Sequence, residues 1–299
     1  MHYGYIGLGN LGGHLAHSLV RKGYKLTVFD LDPSLAARHV RDGAALAKSP
    51  AELAAKVDHV FTCLPSPTVS EKVLAEILTT LKPGSTWIEN STNGRDEMQR
   101  LAAKAEAKGV KVLEAPVTGG VHLAARGEIT VLVGGDKSVF ELHRPALEII
   151  GKKIFHMGPI GSAAVIKVIT NMLAFIHLVA DAEALMLARR GGLDLGQAWA
   201  AITASSGTSF VHETEGQLIL NGSYDIAFTM DLALKDLGFA MNFGKEFGVP
   251  LDLASMTQQT FMKGKAAYGG AAQSTQIAKL LEDLLHTDLR APGFPARLE

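Results

Sequence analysis

The sequence predicts an α/β fold, a doubly wound sheet in the first half followed by an all-α second half, on three observations. Short apolar runs alternate with helical patterns up to about residue 160, the strand signal then stops, and a glycine-spaced turn joins the first run to the first helix. The strand candidates, in order, are YGYIGL, KLTVFD, HVFTCLP, STWIEN, VKVLEAP, ITVLVGG and KIFHMG. Strand and helix in turn imply a parallel sheet covered on both faces. Among the intervening helices, Ser49-Pro50-Ala51-Glu52 reads as a capping box with proline at the first helical position. Past Ile160, helices are expected over Gly161 to Arg190, Leu195 to Ser205, Met230 to Phe247 and Asp252 to Lys265.

At 299 residues the chain is long enough for two domains, each with its own core. With 29 basic against 30 acidic side chains, no whole-molecule field invites nucleic acid or an anionic membrane, so a small partner is expected. Cys63 is the only cysteine, which excludes an intrachain disulfide and points to a reducing, cytoplasmic compartment. The longest apolar region, Ala163 to Leu187, is interrupted by Lys167, His177, Asp181 and Glu183, and no basic-then-apolar leader precedes it, so a soluble protein is expected. The terminal Leu298-Glu299 reads as an expression-vector remnant.

Gly7, Gly9 and Gly12 stand in G-x-G-x-x-G spacing, with Leu8, Asn10 and Leu11 between them. The context raises this above a chance match: a strand precedes, an amphipathic helix follows, and Asp30 closes the second strand about 20 residues on. Gly7 allows the tight turn, Gly9 the approach of a pyrophosphate, and Gly12 the packing of helix on strand, with the helix N-terminus facing the phosphates. This makes the first half a Rossmann-type dinucleotide-binding domain. Asp30 can accept from both ribose hydroxyls and repels a 2′-phosphate, and Leu31 follows where an arginine would favour NADP. NAD is the expected cofactor, with NADP as the alternative.

In IGSAAVIKVITNML, Lys167 and Asn171 are four residues apart and so lie about 40° apart on a helix. Taken alone the pair fits a snorkelling lysine at a core edge beside a capping asparagine. Thr118-Gly119-Gly120 follows a strand, and its glycine amides beside a hydroxyl can form a concave site for a carboxylate. No metal site is expected: His14 and His17 have no third ligand at useful spacing and read as surface residues, and His177 as a partnered core histidine. Met172, Met186, Met230 and Met241 fall in apolar helical patterns and read as packing.

Four motifs, in order, give the chain its resemblance to the β-hydroxyacid dehydrogenases, the group that includes 3-hydroxyisobutyrate dehydrogenase. They are GLGNLG; EAPVTGG with ARGEITVLVGG; GPIGSAAVIKVITN; and LALKDLGFA. The resemblance spans nearly the whole chain. It implies a Rossmann domain over residues 1–161 and a helical substrate and oligomerisation domain over 162–299 that opens on a long interdomain helix. It further implies that Thr118, Gly119 and Gly120 bind the substrate's acid group, that Lys167 is catalytic, and that Asn171 orients the substrate. Leu64, Pro65, Val69 and Thr92 would line the cofactor, with Lys235 near the nicotinamide. The chain departs from the family pattern at Thr118, usually serine, at Ala163, often glycine, at Thr170, often asparagine, and at Arg95, commonly proline.

On this reading the chain is an NAD-dependent oxidoreductase that interconverts a small β- or γ-hydroxy acid and its semialdehyde, as a homodimer or homotetramer. Lys167 exchanges the hydroxyl proton. A free lysine near pKa 10.4 is a poor base at neutral pH, and partial desolvation beside a positive nicotinamide shifts it in the useful direction. The alternatives are an imine reductase on the same fold, in which this lysine is usually replaced, and a dinucleotide-binding regulator without turnover.

Overall fold

In strand β1 (His2–Ile6), Tyr3 and Tyr5 face one side of a sheet and Ile6 the other, the period of two on which the first half of the chain is built. A computed structural model describes residues 1–298, so Glu299 lies outside the described residues. Strands β2 (Lys25–Phe29), β3 (Ala45–Leu46), β4 (His59–Thr62), β5 (Thr86–Glu89) and β6 (Lys111–Glu114) join β1 in the parallel order β3-β2-β1-β4-β5-β6. Helices α1 (Gly12–Arg21), α2 (Ala37–Arg41), α3 (Pro50–Lys56), α4 (Pro67–Ile77) and α5 (Arg95–Glu106) alternate with these strands. Two apolar layers result. Leu53, Leu74 and Leu101 of α3, α4 and α5 pack with Ile6, Val60, Trp87 and Val112. Tyr5, Phe61, Ile88 and Leu113 face the opposite side, with Leu15 and Leu19 of α1.

The sheet is mixed where a parallel one was expected. Strand β7 (Val117–Thr118) leads through helix α6 (Gly120–Arg126) into β8 (Ile129–Gly135), which pairs antiparallel with both β6 and β7. Residues 119–128 are too few for a parallel crossover, which needs about a dozen or more. After helix α7 (Lys137–Ile150), β9 (Gly151–Gly158) returns parallel to β8. Strands β3 and β7, of two residues each, are too short to show a period and went unread. At Ser49 only half of the expected capping box forms: its hydroxyl accepts from Glu52 N at 3.1 Å, while Glu52 turns back to Lys48 N at 2.8 Å. The Cys63 thiol is pushed up to about 12 by burial, so it is inert as a nucleophile.

The chain divides into two compact units, Met1–Lys167 and a second beginning at Val168, a few residues beyond the boundary expected from the sequence. Helix α8 (Ser162–Arg190) contains the division, and α9 (Leu195–Thr203), α10 (Phe210–Asn221), α11 (Met230–Phe247), α12 (Asp252–Tyr268) and α13 (Lys279–Leu285) follow. The second unit's core gathers Phe175, Leu178 and Leu185 of α8 with Leu237 of α11 and Phe261 of α12. Its buried polar anchor is His212, whose Nδ1 lies 2.5 Å from Asp181 Oδ1 and Nε2 3.0 Å from the Trp199 carbonyl. Burial works against its charge, yet these acceptors raise its pKa. Three histidines differ from expectation. His177 is exposed on α8, because the helix turns it away from the Phe175 and Leu178 side, and His14 and His17 are half-buried on α1. By length and composition α8 could cross a membrane, and 33% of its most apolar window is buried.

Candidate active site

The glycine turn is built from backbone contacts that no side chain could share. Gly7 has φ +93°, and a Cβ there would lie 2.2 Å from the Cys63 carbonyl oxygen; one on Gly12 would lie 2.1 Å from the Gly7 carbonyl oxygen. At Gly9 a Cβ would meet nothing within 4 Å, so this glycine answers to no neighbour in the chain. Helix α1 begins here, with Leu11 at its N-cap and no side-chain cap bond. Open space beside uncapped helix amides suits a diphosphate. Asp30 is fixed at the end of β2, accepting from Leu8 N at 2.6 Å and Asp32 N at 2.9 Å, while Leu31 is 88% exposed. Gly7, Leu8 and Asp30 are thus brought together as the spacing predicts, and the residues fit a dinucleotide.

The next loops join the same edge. Leu64 N donates to Ser91 Oγ at 2.6 Å, and Leu64 Cδ2 lies 3.2 Å from the ideal Cβ position of Gly7. Pro65 precedes Ser66, which caps α4 by accepting from Val69 N, with Pro67 at the helix start. Ser91, beside Thr92, is held by Glu89: its N–H donates to Glu89 Oε1 at 2.8 Å and its hydroxyl bonds the same oxygen. Glu89 is fully buried, which pushes its carboxyl pKa up. Thr118 ends β7 opposite Thr130, and Gly119 and Gly120 follow with φ of +125° and +87°. Both angles favour glycine.

Glu114, at the end of β6, is 1% exposed and grips the start of α8. Its carboxylate accepts from the N–H groups of Gly161 at 2.7 Å, Ala163 at 2.8 Å and Ala164 at 3.2 Å. Burial outweighs these bonds and pushes its pKa up to about 7. One turn past Ala163 stands Lys167, 7% exposed, whereas a snorkelling lysine would keep its head in water. Within the second unit, Asn171 Nδ2 donates to Asp236 Oδ2 at 2.6 Å, and Lys235 Nζ lies 2.8 Å from Asp236 Oδ1. Asp236, 1% exposed, therefore holds both Asn171 and Lys235.

Four residues went unread: Glu89, Ser91, Glu114 and Asp236. Their signal in the sequence is faint: Glu89 and Glu114 end the short strands TWIE and KVLE and Asp236 lies within a helical motif, but nothing local marks these carboxyls as buried. A carboxylate placed so must be paired when the element is buried.

A glycine turn of this geometry on a doubly wound sheet defines a dinucleotide-binding protein of the Rossmann class. Two family models divide the chain: the NAD-binding domain of 6-phosphogluconate dehydrogenase over residues 2–158, and the NAD-binding domain of NADP-dependent 3-hydroxyisobutyrate dehydrogenase over 161–281. Among curated proteins, the chain is 34% identical to 2-(hydroxymethyl)glutarate dehydrogenase of Eubacterium barkeri, covering 94% of this chain and 95% of that one. It is 31% identical to L-threonate dehydrogenase of Cupriavidus necator, over 93% and 95%. A solved 3-hydroxyisobutyrate dehydrogenase from Salmonella typhimurium superposes with a TM-score of 0.88 at 31% identity, over 94% of this chain and 99% of that one. The chain belongs to the β-hydroxyacid dehydrogenase family, whose members are NAD(P)-dependent oxidoreductases.

The glycines separate folding from binding. Gly12→Ala is expected to destabilise by about 1–3 kcal/mol, the usual cost of overpacking. Gly9→Ala is expected to leave the Tm unchanged while weakening NADH binding about tenfold or more, 1.4 kcal/mol per decade. Thermal melts and fluorescence titration measure both, and wild-type NADH affinity in Gly9→Ala would remove the diphosphate from this turn.

Proposed function

We propose that the chain interconverts a small β- or γ-hydroxy acid and its semialdehyde, 3-hydroxyisobutyrate dehydrogenase-like, as a soluble cytoplasmic enzyme that prefers NAD to NADP. The observation that carries this reading is the buried Lys167 one helical turn before Asn171, itself held by Asp236. The Thr118 hydroxyl and the amides of Gly119 and Gly120 hold the acid group, Asn171 orients the substrate, and Lys167 Nζ takes the hydroxyl proton during oxidation and returns it in reduction. When bound, the nicotinamide supplies the hydride acceptor or donor. Leu64, Pro65, Val69 and Thr92 line its site, and Lys235 stands near the nicotinamide end. Asp30, fixed by two backbone amides, holds the ribose hydroxyls and disfavours a 2′-phosphate through its charge. The named activities of the relatives support the hydroxy-acid class, and the retained Lys167 supports an alcohol rather than an imine as the reacting group.

The partner is a second copy of this chain, in a homodimer or homotetramer. Support comes from α8, where Ile169, Leu173 and Leu187 are 37%, 44% and 76% exposed, with the half-buried Ile176 between them. Spacings of four and three residues, then of eleven or about three turns, keep these side chains on one helix face, and a closed dimer can bury such a face against its own copy.

A screen of NAD and NADP reduction across small hydroxy acids, with the reverse reaction on their semialdehydes, tests the activity. Turnover of at least one acid with NAD favoured is expected, and a tenfold preference for NADP would refute the role given to Asp30. Lys167→Ala is expected to lower kcat by about 10²–10⁴, the worth of a positioned acid or base, with NADH affinity kept. A near-normal kcat would return Lys167 to a packing role. Sedimentation of the wild-type protein should show a dimer or larger, and a monomer at micromolar concentration would leave the α8 stripe without its partner.

A further inference from the structure

Side by side at the carboxyl ends of adjacent strands stand two buried carboxyl groups. Ile6, Thr62, Glu89, Glu114 and Gly134 are register partners on β1, β4, β5, β6 and β8. Glu89 turns to Ser91, beside Thr92. Glu114 turns to the first turn of α8, where Gly161 with φ +99° leads the chain into the helix. Room for it comes from Gly134, since a Cβ there would lie 2.1 Å from Glu114 Oε1. A buried carboxylate costs stability unless something answers it. Apolar packing alone could seat the helix, so the retained charge calls for an account of its own.

We infer that Glu114 is a positioning residue for Lys167: by holding the amides of Gly161, Ala163 and Ala164 it fixes the rotation and height of the first turn of α8, and so the direction of the lysine one turn on. The inference rests on the reading of Lys167 given above. Its route is short and runs through two backbone hydrogen bonds. Ala163 N–H is held at 2.8 Å by Glu114, and in an α-helix the Ala163 carbonyl accepts from the Lys167 N–H. A negative carboxylate at a helix N-terminus also meets the positive end of the helix dipole, which a neutral group does more weakly.

Glu114→Gln keeps the size and removes the charge, and an amide NH2 cannot accept from the helix amides. This substitution should reduce kcat for hydroxy-acid oxidation by about 10- to 10²-fold, the range for a misplacement of about 1 Å. NADH affinity and the KM for NAD should stay within about twofold. Amide exchange at Ala163 and Ala164 should quicken while that of α1 stays unchanged, a readout independent of turnover.

The pH profile adds a second signature. The ionisable residues on the elements packed around Glu114 are Glu89, its register partner on β5, Lys167 further along α8, and Arg95 of α5 against Gly161, while β8 presents only Gly134 and Gly135 there. With its pKa raised to about 7 by burial, Glu114 is protonated below that pH and ionised above it. Wild-type kcat should therefore lose a further component as pH falls through about 7, and Glu114→Gln should lack that component.

Lys167→Ala and the double variant separate the outcomes. If Lys167→Ala is impaired and Glu114→Gln keeps wild-type kcat and pH profile, Glu114 merely caps a helix and the inference is overturned while the site reading stands. If Lys167→Ala turns over normally, the site reading falls and takes the inference with it. Support requires that Glu114→Gln add little further loss in the Lys167→Ala background.

Discussion

Gly12 lies so close to the carbonyl of Gly7 that the two backbones leave no room for a methyl group, and the chemistry at the carboxyl ends of the strands depends on that approach. It sets where α1 begins, and with it the amides offered to a diphosphate. It also brings β1 against Cys63, so that the loop carrying Leu64 starts from a fixed point. From there the linkage continues in polar contacts: Leu64 to Ser91, Ser91 to Glu89, and on the neighbouring strand Glu114 to α8. The sheet edge is therefore a run of backbone fixtures, in which few side chains are free to choose their own place.

The two units solve one problem in different ways. Each must keep a charged group out of water without stranding it. In the first, carboxylates at strand ends are answered by amides and hydroxyls. In the second, Asp236 is answered by Asn171 and Lys235, and Asp181 by His212. Amides are part of the backbone and cannot swing away, whereas Asn171 and Lys235 are side chains whose rotamers must be held. The start of α8 thus rests on backbone groups, while the Asp236 cluster depends on the packing that locks its side-chain rotamers.

Much of this was legible in the sequence, because alternation, glycine spacing and helix starts are local properties. Met230 to Phe247 was placed with both ends correct, and the glycine turn was grouped with Asp30 from spacing together with the strand before it and the helix after it. What escaped depends on partners distant in the chain. The antiparallel turn of β8 follows from the shortness of residues 119–128, which a run of apolar letters does not weigh. Helix α10 was unread because FVHETEGQLIL carries polar residues on its inner side, His212 among them, whose partner Asp181 is 31 residues away. Glu114 and Asp236 looked like ordinary acidic letters inside quoted motifs. Only the fold shows that neither reaches water.

The empty place at Gly134 carries a consequence for how this chain can change. A methyl there would fall on the Glu114 carboxylate, so residues 114 and 134, 20 positions apart in the chain, form one hereditary unit. An alanine at 134 would require the Glu114 carboxylate to swing aside and so to loosen the amides of α8 that it holds, which ties the tolerance of one position to the side chain at the other.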